Sequence, residues 1–364
     1  MAIDRAVLLD AAGRPLRRRL VYLDHSTLVD AFEGKRGEGE RPELNAELAA
    51  IVEDVASRGT LCLSFIHLVE LAQRPRRDDA LAMARWLDRL GALWLQMYGS
   101  DDRDLTNEVK RRLGLKAAPA ASLPIHHTMT AAIRPGLNTP ALAEAATSFV
   151  SAADMESVIR NIHGHPKLGE MLKHLRSRSV GLIAEMHANR SSIPAGTPPE
   201  QVEAFLAAKL RRAIEREACR VIATTPIERD ESYPEDTDVR SAAGAAFDDP
   251  DAIPLTKIGY HLAGRVSDRV TDSNPTSRSF TNRYEAFDWD SRHATAAAVV
   301  DVFTCDTFTD NVMGDFRTSR GMEPQLSIRG RGGREALVAE LRRQCAEPRG
   351  GAQVTPAIVP GGSC

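Results

Sequence analysis

Residues 288–311 read "DWDSRHATAAAVVDVFTCDTFTDN", and the fold turns on how the run from Val300 to Asp306 is taken. That run is of strand length, rich in Val and Phe, and closes on an acid, while the alanine-rich segment before it suits a helix. Two upstream runs have the same form: "RLVYLD", ending at Asp24, and "TLCLSF", from Thr60 to Phe65. A fourth, "PQLSIRG" from Pro324 to Gly330, precedes the helix-compatible "GREALVAELRRQ". Short apolar strands separated by helical segments predict an α/β fold with a parallel sheet and right-handed crossovers.

Composition bounds the function. A net charge of −3 excludes a generally basic nucleic-acid coat, so any nucleic-acid contact needs a local basic patch. No apolar stretch approaches the roughly 20 residues of a membrane span, and the N-terminus lacks a signal-peptide layout, so a cytoplasmic protein is expected. The cysteines (Cys62, Cys219, Cys305, Cys345, Cys364) are scattered without a CxxC pair, which argues against a thiolate zinc site and a disulfide framework.

The middle of the chain has a different rhythm. From about Pro75 to Thr224 nothing reads clearly as a strand. "DDALAMARWLDRLGALWLQMY" carries apolar residues at three- and four-residue spacing through Leu93 and Leu95. "PPEQVEAFLAAKLRRAIEREACRVIA" follows Thr197, a helix start with a Thr N-cap, prolines in the first turn and an early Glu. Residues 224–254 are acidic, Pro-containing and aperiodic, and predict a long loop or a partly disordered segment. The organisation expected is a discontinuous α/β domain (1–75 and 252–345), an all-helical insertion (76–251) with an acidic loop at its end, and a Gly/Pro-rich flexible tail (346–364).

The acids fall at one end of the predicted strands. Asp24 closes the first, Asp306 closes the third, and Glu70 follows Ser64 by six residues, in the first turns of a helix. Asp290 opens the helix "SRHATAAAVV", where the helix dipole tolerates an anion, and Asp288 is its rival. If that helix starts near Asp288, the two lie about 200° apart and cannot both face one ion. In an open parallel sheet, ligands bind beyond the carboxyl ends of the strands. Carboxylates converging there repel one another unless a cation joins them, and an oxygen-only set suits Mg²⁺ or Mn²⁺. Such an ion activates water for attack on a phosphodiester.

Taken in order, "VYLDHSTLVDAF", "LSFIHLVEL", "DSRHATAA" and "DVFTCDTF" resemble the successive motifs of PIN-domain nucleases. The matching residues are Asp24 with Ser26, Ser64 with Glu70, Asp290 (or Asp288), and Thr304 with Asp306. The resemblance covers about 150 residues at the two ends of the chain, and the long stretch after Glu70 departs from compact members. It implies a three-layer α/β/α sandwich with a central parallel sheet. It also implies a metal-dependent endoribonuclease whose Asp24, Glu70, Asp290 or Asp288, and Asp306 hold Mg²⁺ or Mn²⁺. A DNA nuclease of the same chemistry, or an inactive module binding RNA or protein, are the alternatives. Bacterial members are often toxins, so an antitoxin-like protein joins RNA as an implied partner. Many members dimerise, so a homodimer is expected by analogy.

Supporting roles follow from position. Ser26 and Ser64 either bond the acids or cap their segments. Thr304 is placed to orient a carboxylate or water. His293, three residues after Asp290 on the same helix face, can orient that carboxylate or contact a phosphate. Asp310 either assists the site or is a helix N-terminal acid, and Asp301 is expected in the turn before its strand. Arg74, Arg76 and Arg77, in "RPRR" close behind Glu70, are the candidate phosphate contacts.

Overall fold

The computed structural model describes residues 19–95, 100–117, 125–133, 154–164, 185–224, 232–249, 252–253, 256–261, 293–297, 300–305, 309–310, 327–329 and 333–346. The strands are β1 (Val21–Tyr22), β2 (Leu61–Ser64), β3 (Leu93–Leu95), β4 (Ile125–His126), β5 (Val302–Cys305) and β6 (Ser327–Arg329). The helices used below are α1 (His25–Lys35), α2 (Pro42–Ser57), α3 (Phe65–Ala72), α4 (Arg77–Arg89), α5 (Ser100–Arg112), α6 (Met129–Ile133), α7 (Met155–Gly164), α8 (Pro199–Thr224), α9 (Asp236–Asp248) and α10 (Gly333–Ala346).

The strands form one sheet in the order β4-β3-β2-β1-β5-β6. All neighbours are parallel except β3 and β4, so the sheet is mixed, with an antiparallel edge. Val21 is opposite both Leu61 and Val302, which centres β1. The chain steps outward from β1 through β2 to β3, then returns to add β5 on the other side of β1. The strand order therefore reverses between β1 and β5.

Alternation along the strands divides the core in two. Val21, Leu23, Leu61 and Leu63 face one layer, packed with α1 to α4, α7 and α10. Leu20, Tyr22, Cys62, Leu93, Leu95, Phe303 and Cys305 face the other, packed with Ala294, Ala296 and Ala297. Each fully buried Leu of these strands contributes about 1.5–3 kcal/mol of hydrophobic stabilisation. The start of the central pair is pinned by Asp301: its Oδ2 accepts the Leu20 N–H at 2.8 Å. The N–H groups of Asp301 and Val302 both donate to the Leu20 carbonyl, at 3.0 and 2.9 Å. Asp301 is thus a buried structural acid just before its strand.

All four strands expected from the sequence are present. Three expectations for the middle of the chain are corrected. First, the stretch expected to be all helical contains β3 and β4. Gly91 takes a φ of +62°, a left-handed conformation that suits glycine, and ends α4 there. Leu93, Trp94 and Leu95 then pair with Cys62, Leu63 and Ser64 rather than extending the helix. Second, the acidic 224–254 segment contains α9. Asp236 and Asp238 occupy its first turn, where anions are favourable, and Val239, Ala242, Ala243, Ala246 and Phe247 are buried. Helices α5, α8 and α9 share a core of their own through Leu105, Val109, Ile214, Ala218, Val239 and Ala243. Third, α8 starts at Pro199, and the Pro198 carbonyl takes its first backbone bonds, from the N–H groups of Gln201 and Val202 at 3.0 and 3.1 Å. The Thr197 hydroxyl donates instead to the Pro194 carbonyl, at 2.7 Å. Among the described residues, no helix is long and apolar enough to cross a membrane.

Candidate functional site

Asp24 stands two residues past β1, after Leu23, and is the N-cap residue of α1, with extended backbone angles. Its own side chain makes no cap bond. The carboxylate is occupied elsewhere: Oδ2 accepts from the Ser26 hydroxyl, and Oδ1 accepts from the hydroxyls of Thr27 and, across the sheet, Thr304 at 2.7 Å. The Thr304 oxygen also accepts the Asp24 N–H, at 2.8 Å. Thr304 lies on β5, so these two bonds bridge the point where the strand order reverses.

Glu70 is brought to the same edge by α3. That helix begins where β2 ends because Ser64, in extended conformation, accepts the Ile66 N–H on its hydroxyl at 3.3 Å. The Ser64 N–H in turn donates to His67 Nδ1 at 3.0 Å, a reciprocal cap in which histidine takes the place usual for Glu or Gln. Six of the eight residues of α3 besides Glu70 and His67 are buried hydrophobics, which leaves Glu70 as its partly exposed position. The Glu70 Oε2 accepts from His293 Nε2 at 2.7 Å and lies 3.9 Å from His25 Nδ1. Burial raises the Glu70 carboxyl, but the imidazoles of His293, His25 and His67 outweigh it, and the net shift is below the ordinary value. The His25 imidazole is pushed down by burial against the opposing pull of Glu70.

Behind Glu70 the polar contacts continue inward. His293 Nδ1 is 2.6 Å from the Tyr22 hydroxyl, which is 2.8 Å from the Ser64 hydroxyl. His67 Nε2 reaches the Leu23 carbonyl at 2.7 Å. Tyr22, Ser64, His67 and His293 are all buried. The rings are in contact, with centroids 4.8 Å apart for Tyr22 and His67 and 5.0 Å for His67 and His293. Burial pushes the Tyr22 phenol well above its ordinary value and brings His67 down to about 3, so both are neutral at pH 7.

The sequence-derived candidates are distributed as follows. Asp24, Glu70, Ser26, Ser64, Thr304 and His293 gather at the carboxyl edge of β1, β2 and β5 or directly beneath it. Ser64 caps α3 and bonds Tyr22, rather than bonding an acid. His293, a candidate to orient the Asp290 carboxylate or to contact a phosphate, has its two ring nitrogens on Glu70 and Tyr22. Asp310 is buried in a helical turn after β5. Arg74 is half-buried, with Nη1 3.7 Å from Met83 Sδ, and its charge acts on His25. Arg76 and Arg77 are exposed at the start of α4. Asp288, Asp290 and Asp306 lie outside the described residues.

Tyr22, His25, Thr27 and His67 were not singled out by sequence reasoning. A phenol inside the apolar run "LVYL" was the available signal, because a buried Tyr needs a partner for its hydroxyl. The Ser64-x-x-His67 spacing was the second, since it has capping-box form.

No family model, curated protein or solved structure matches this chain. The site must therefore be read from its own chemistry. Among the described residues no three His, Cys, Asp or Glu side chains gather as a ready metal cage. Two of the described carboxylates, Asp24 and Glu70, stand at the edge, each already aimed by donors, and both are acceptors for a cation or for an N–H or O–H of a ligand.

Proposed function

We propose that the chain is a metal-dependent endoribonuclease of PIN-like architecture, acting at the carboxyl edge of β1, β2 and β5. One observation carries this reading. Asp24 and Glu70, from separate strand ends, lie at the edge where the strand order reverses between β1 and β5, the place where open α/β sheets bind ligands. Asp306 follows β5 immediately in sequence, and it and Asp290 or Asp288 complete the set by resemblance.

The donors fit a hard divalent ion. They are carboxylate and hydroxyl oxygens, the preference of Mg²⁺ and Mn²⁺, and among the described residues the hydrogen bond from His293 and the closer approach of His25 both fall on Glu70 Oε2, leaving Oε1 for a cation. When bound, the ion supplies an activated water and stabilises charge on the displaced phosphate oxygen. The chain's own part is to hold and aim. Thr27 and Thr304 fix the Asp24 carboxylate, His293 fixes that of Glu70, and Arg74 gives the edge a cation for a phosphate.

The test is cleavage of a single-stranded RNA, and of DNA of the same sequence, by the full chain in Mg²⁺ or Mn²⁺. The expected result is RNA cleavage that Asp24→Asn abolishes while its circular dichroism is unchanged. Equal cleavage by Asp24→Asn removes the metal-site assignment, and cleavage of DNA with RNA left intact replaces the substrate.

A further inference from the structure

The buried polar line behind Glu70 has a direction, and that direction can be derived. The backbone N–H of Ser64 can only donate, so His67 Nδ1 is an acceptor and its proton is on Nε2. The Leu23 carbonyl can only accept, and it lies 2.7 Å from that nitrogen, in agreement. With the His67 Nδ1 lone pair taken, the better acceptor for the Ser64 hydroxyl proton is Tyr22 at 2.8 Å rather than His67 Nδ1 at 3.3 Å. The Ser64 oxygen meanwhile accepts from the Ile66 N–H. Tyr22, accepting a hydrogen bond from Ser64, donates its own O–H to His293 Nδ1 at 2.6 Å. His293 must then carry its proton on Nε2, aimed at Glu70 Oε2 at 2.7 Å.

We propose that Tyr22 is the positioning residue of this site: its hydroxyl selects the His293 tautomer whose Nε2–H holds the Glu70 carboxylate at the edge. The other tautomer would set a bare nitrogen lone pair against the carboxylate and a second N–H against a hydroxyl that has its own proton to place. Polarity is fixed at the far end by two backbone groups, Ser64 N–H and Leu23 C=O, which cannot reverse. Tyr22 is fully buried in the central strand, so its effect on the edge passes through His293. The proposal deepens the nuclease reading, because the carboxylate it positions is one of that reading's metal ligands. The tautomer itself can be measured whether or not that reading holds.

The experiment uses the full chain labelled with ¹⁵N-histidine. Long-range ¹H–¹⁵N spectra distinguish the two tautomers of each ring, and His293→Gln identifies the His293 signals by their loss. Wild type is expected to show His293 protonated on Nε2, and Tyr22→Phe to turn it into a mixture while His67 keeps its Nε2–H signature. The unchanged His67 signals also show that Tyr22→Phe is folded. A His293 protonated on Nδ1 in wild type, or one unaffected by Tyr22→Phe, overturns the proposal. Mn²⁺ titration calorimetry then measures the consequence at the edge. Loss of a partner that orients a metal ligand weakens metal binding about 10- to 100-fold, and that loss is expected for Tyr22→Phe. In a His293→Gln background, where the side-chain amide can donate to Glu70 without a tautomer to select, Tyr22→Phe should change the affinity less than twofold. Additive losses overturn the route through His293. A wild type that binds no Mn²⁺ removes the nuclease reading and leaves the Tyr22 proposal to be decided by the spectra.

Discussion

Acid should destabilise this fold through His67, by an amount that can be worked out. The imidazole is fully buried between Tyr22 and His293, accepts the Ser64 N–H, and donates to the Leu23 carbonyl. Its folded value is about 3, against 6.5 for the free side chain. The folded value is the lower one, so between those limits the unfolded chain binds the extra proton and stability falls as the pH falls. Each pH unit across that window costs about 1.4 kcal/mol, so moving from pH 7 to pH 5 should remove about 2 kcal/mol, and the ceiling is about 5 kcal/mol. His25 is lowered as well and acts in the same direction. Glu70, also lowered, adds its loss only below the ordinary carboxyl range. The assay is urea denaturation followed by circular dichroism at pH 7 and pH 5, for wild type and His67→Gln. The variant should start about 1–3 kcal/mol less stable, having lost buried hydrogen bonds, but its pH dependence should be flatter by about 2 kcal/mol. Parallel pH dependence in the two proteins would refute the argument, because His67 would then not be the group that resists protonation.

The other predictions test the edge and the frame separately. Thr304→Val removes both bonds to Asp24 and leaves the Asp24 N–H unpaired; it should cost about 1–3 kcal/mol in denaturation and weaken Mn²⁺ binding about tenfold by calorimetry. Gly34→Ala should cost about 3 kcal/mol or more by the same denaturation assay. The added Cβ would fall 2.0 Å from the backbone carbonyl of Asn45, and α1 and α2 would have to part. Glu70→Gln keeps an acceptor for His293 Nε2, whereas Glu70→Ala strands that N–H; the alanine variant should melt lower by the equivalent of about 1–3 kcal/mol, with Mn²⁺ binding weakened in both. Equal melting of the two Glu70 variants would mean that the His293 bond contributes nothing to the fold.

The frame was legible where local pattern and burial agree. "RLVYLD", "TLCLSF" and "VDVFTCD" hold strands because an apolar run of that length, bounded by helix starts, has little else to become in a buried sheet. β3 was hidden because the spacing that makes α4 amphipathic continues by chance through Leu93 and Leu95. Only the conformation of Gly91 separates the helix from the strand. α9 was hidden by composition: its acids resemble a loop, yet most of them stand in a first turn or on a solvent face, with alanines turned inward. At the site, Asp24, Glu70 and Thr304 could be read as strand-end residues. Their partners could not. Tyr22 and His293 meet across 271 positions of sequence, and His67 finds Leu23 across 44, pairings that only the strand order brings about.

The two acids at this edge are held by different chemistry, and that difference decides which of them can adapt. Asp24 is surrounded by hydroxyls from Ser26, Thr27 and Thr304. A hydroxyl both donates and accepts and can rotate, so these groups can turn their protons away when something else claims the carboxylate. Glu70 is held by an imidazole N–H whose polarity is set, through Tyr22 and Ser64, by backbone groups that cannot turn. The carboxylate of Glu70 is therefore the fixed acceptor and that of Asp24 the adjustable one. Anything that binds between them is positioned from the Glu70 side, and the accommodation falls on Asp24 and Thr304, at the junction of β1 and β5 where the sheet reverses its order.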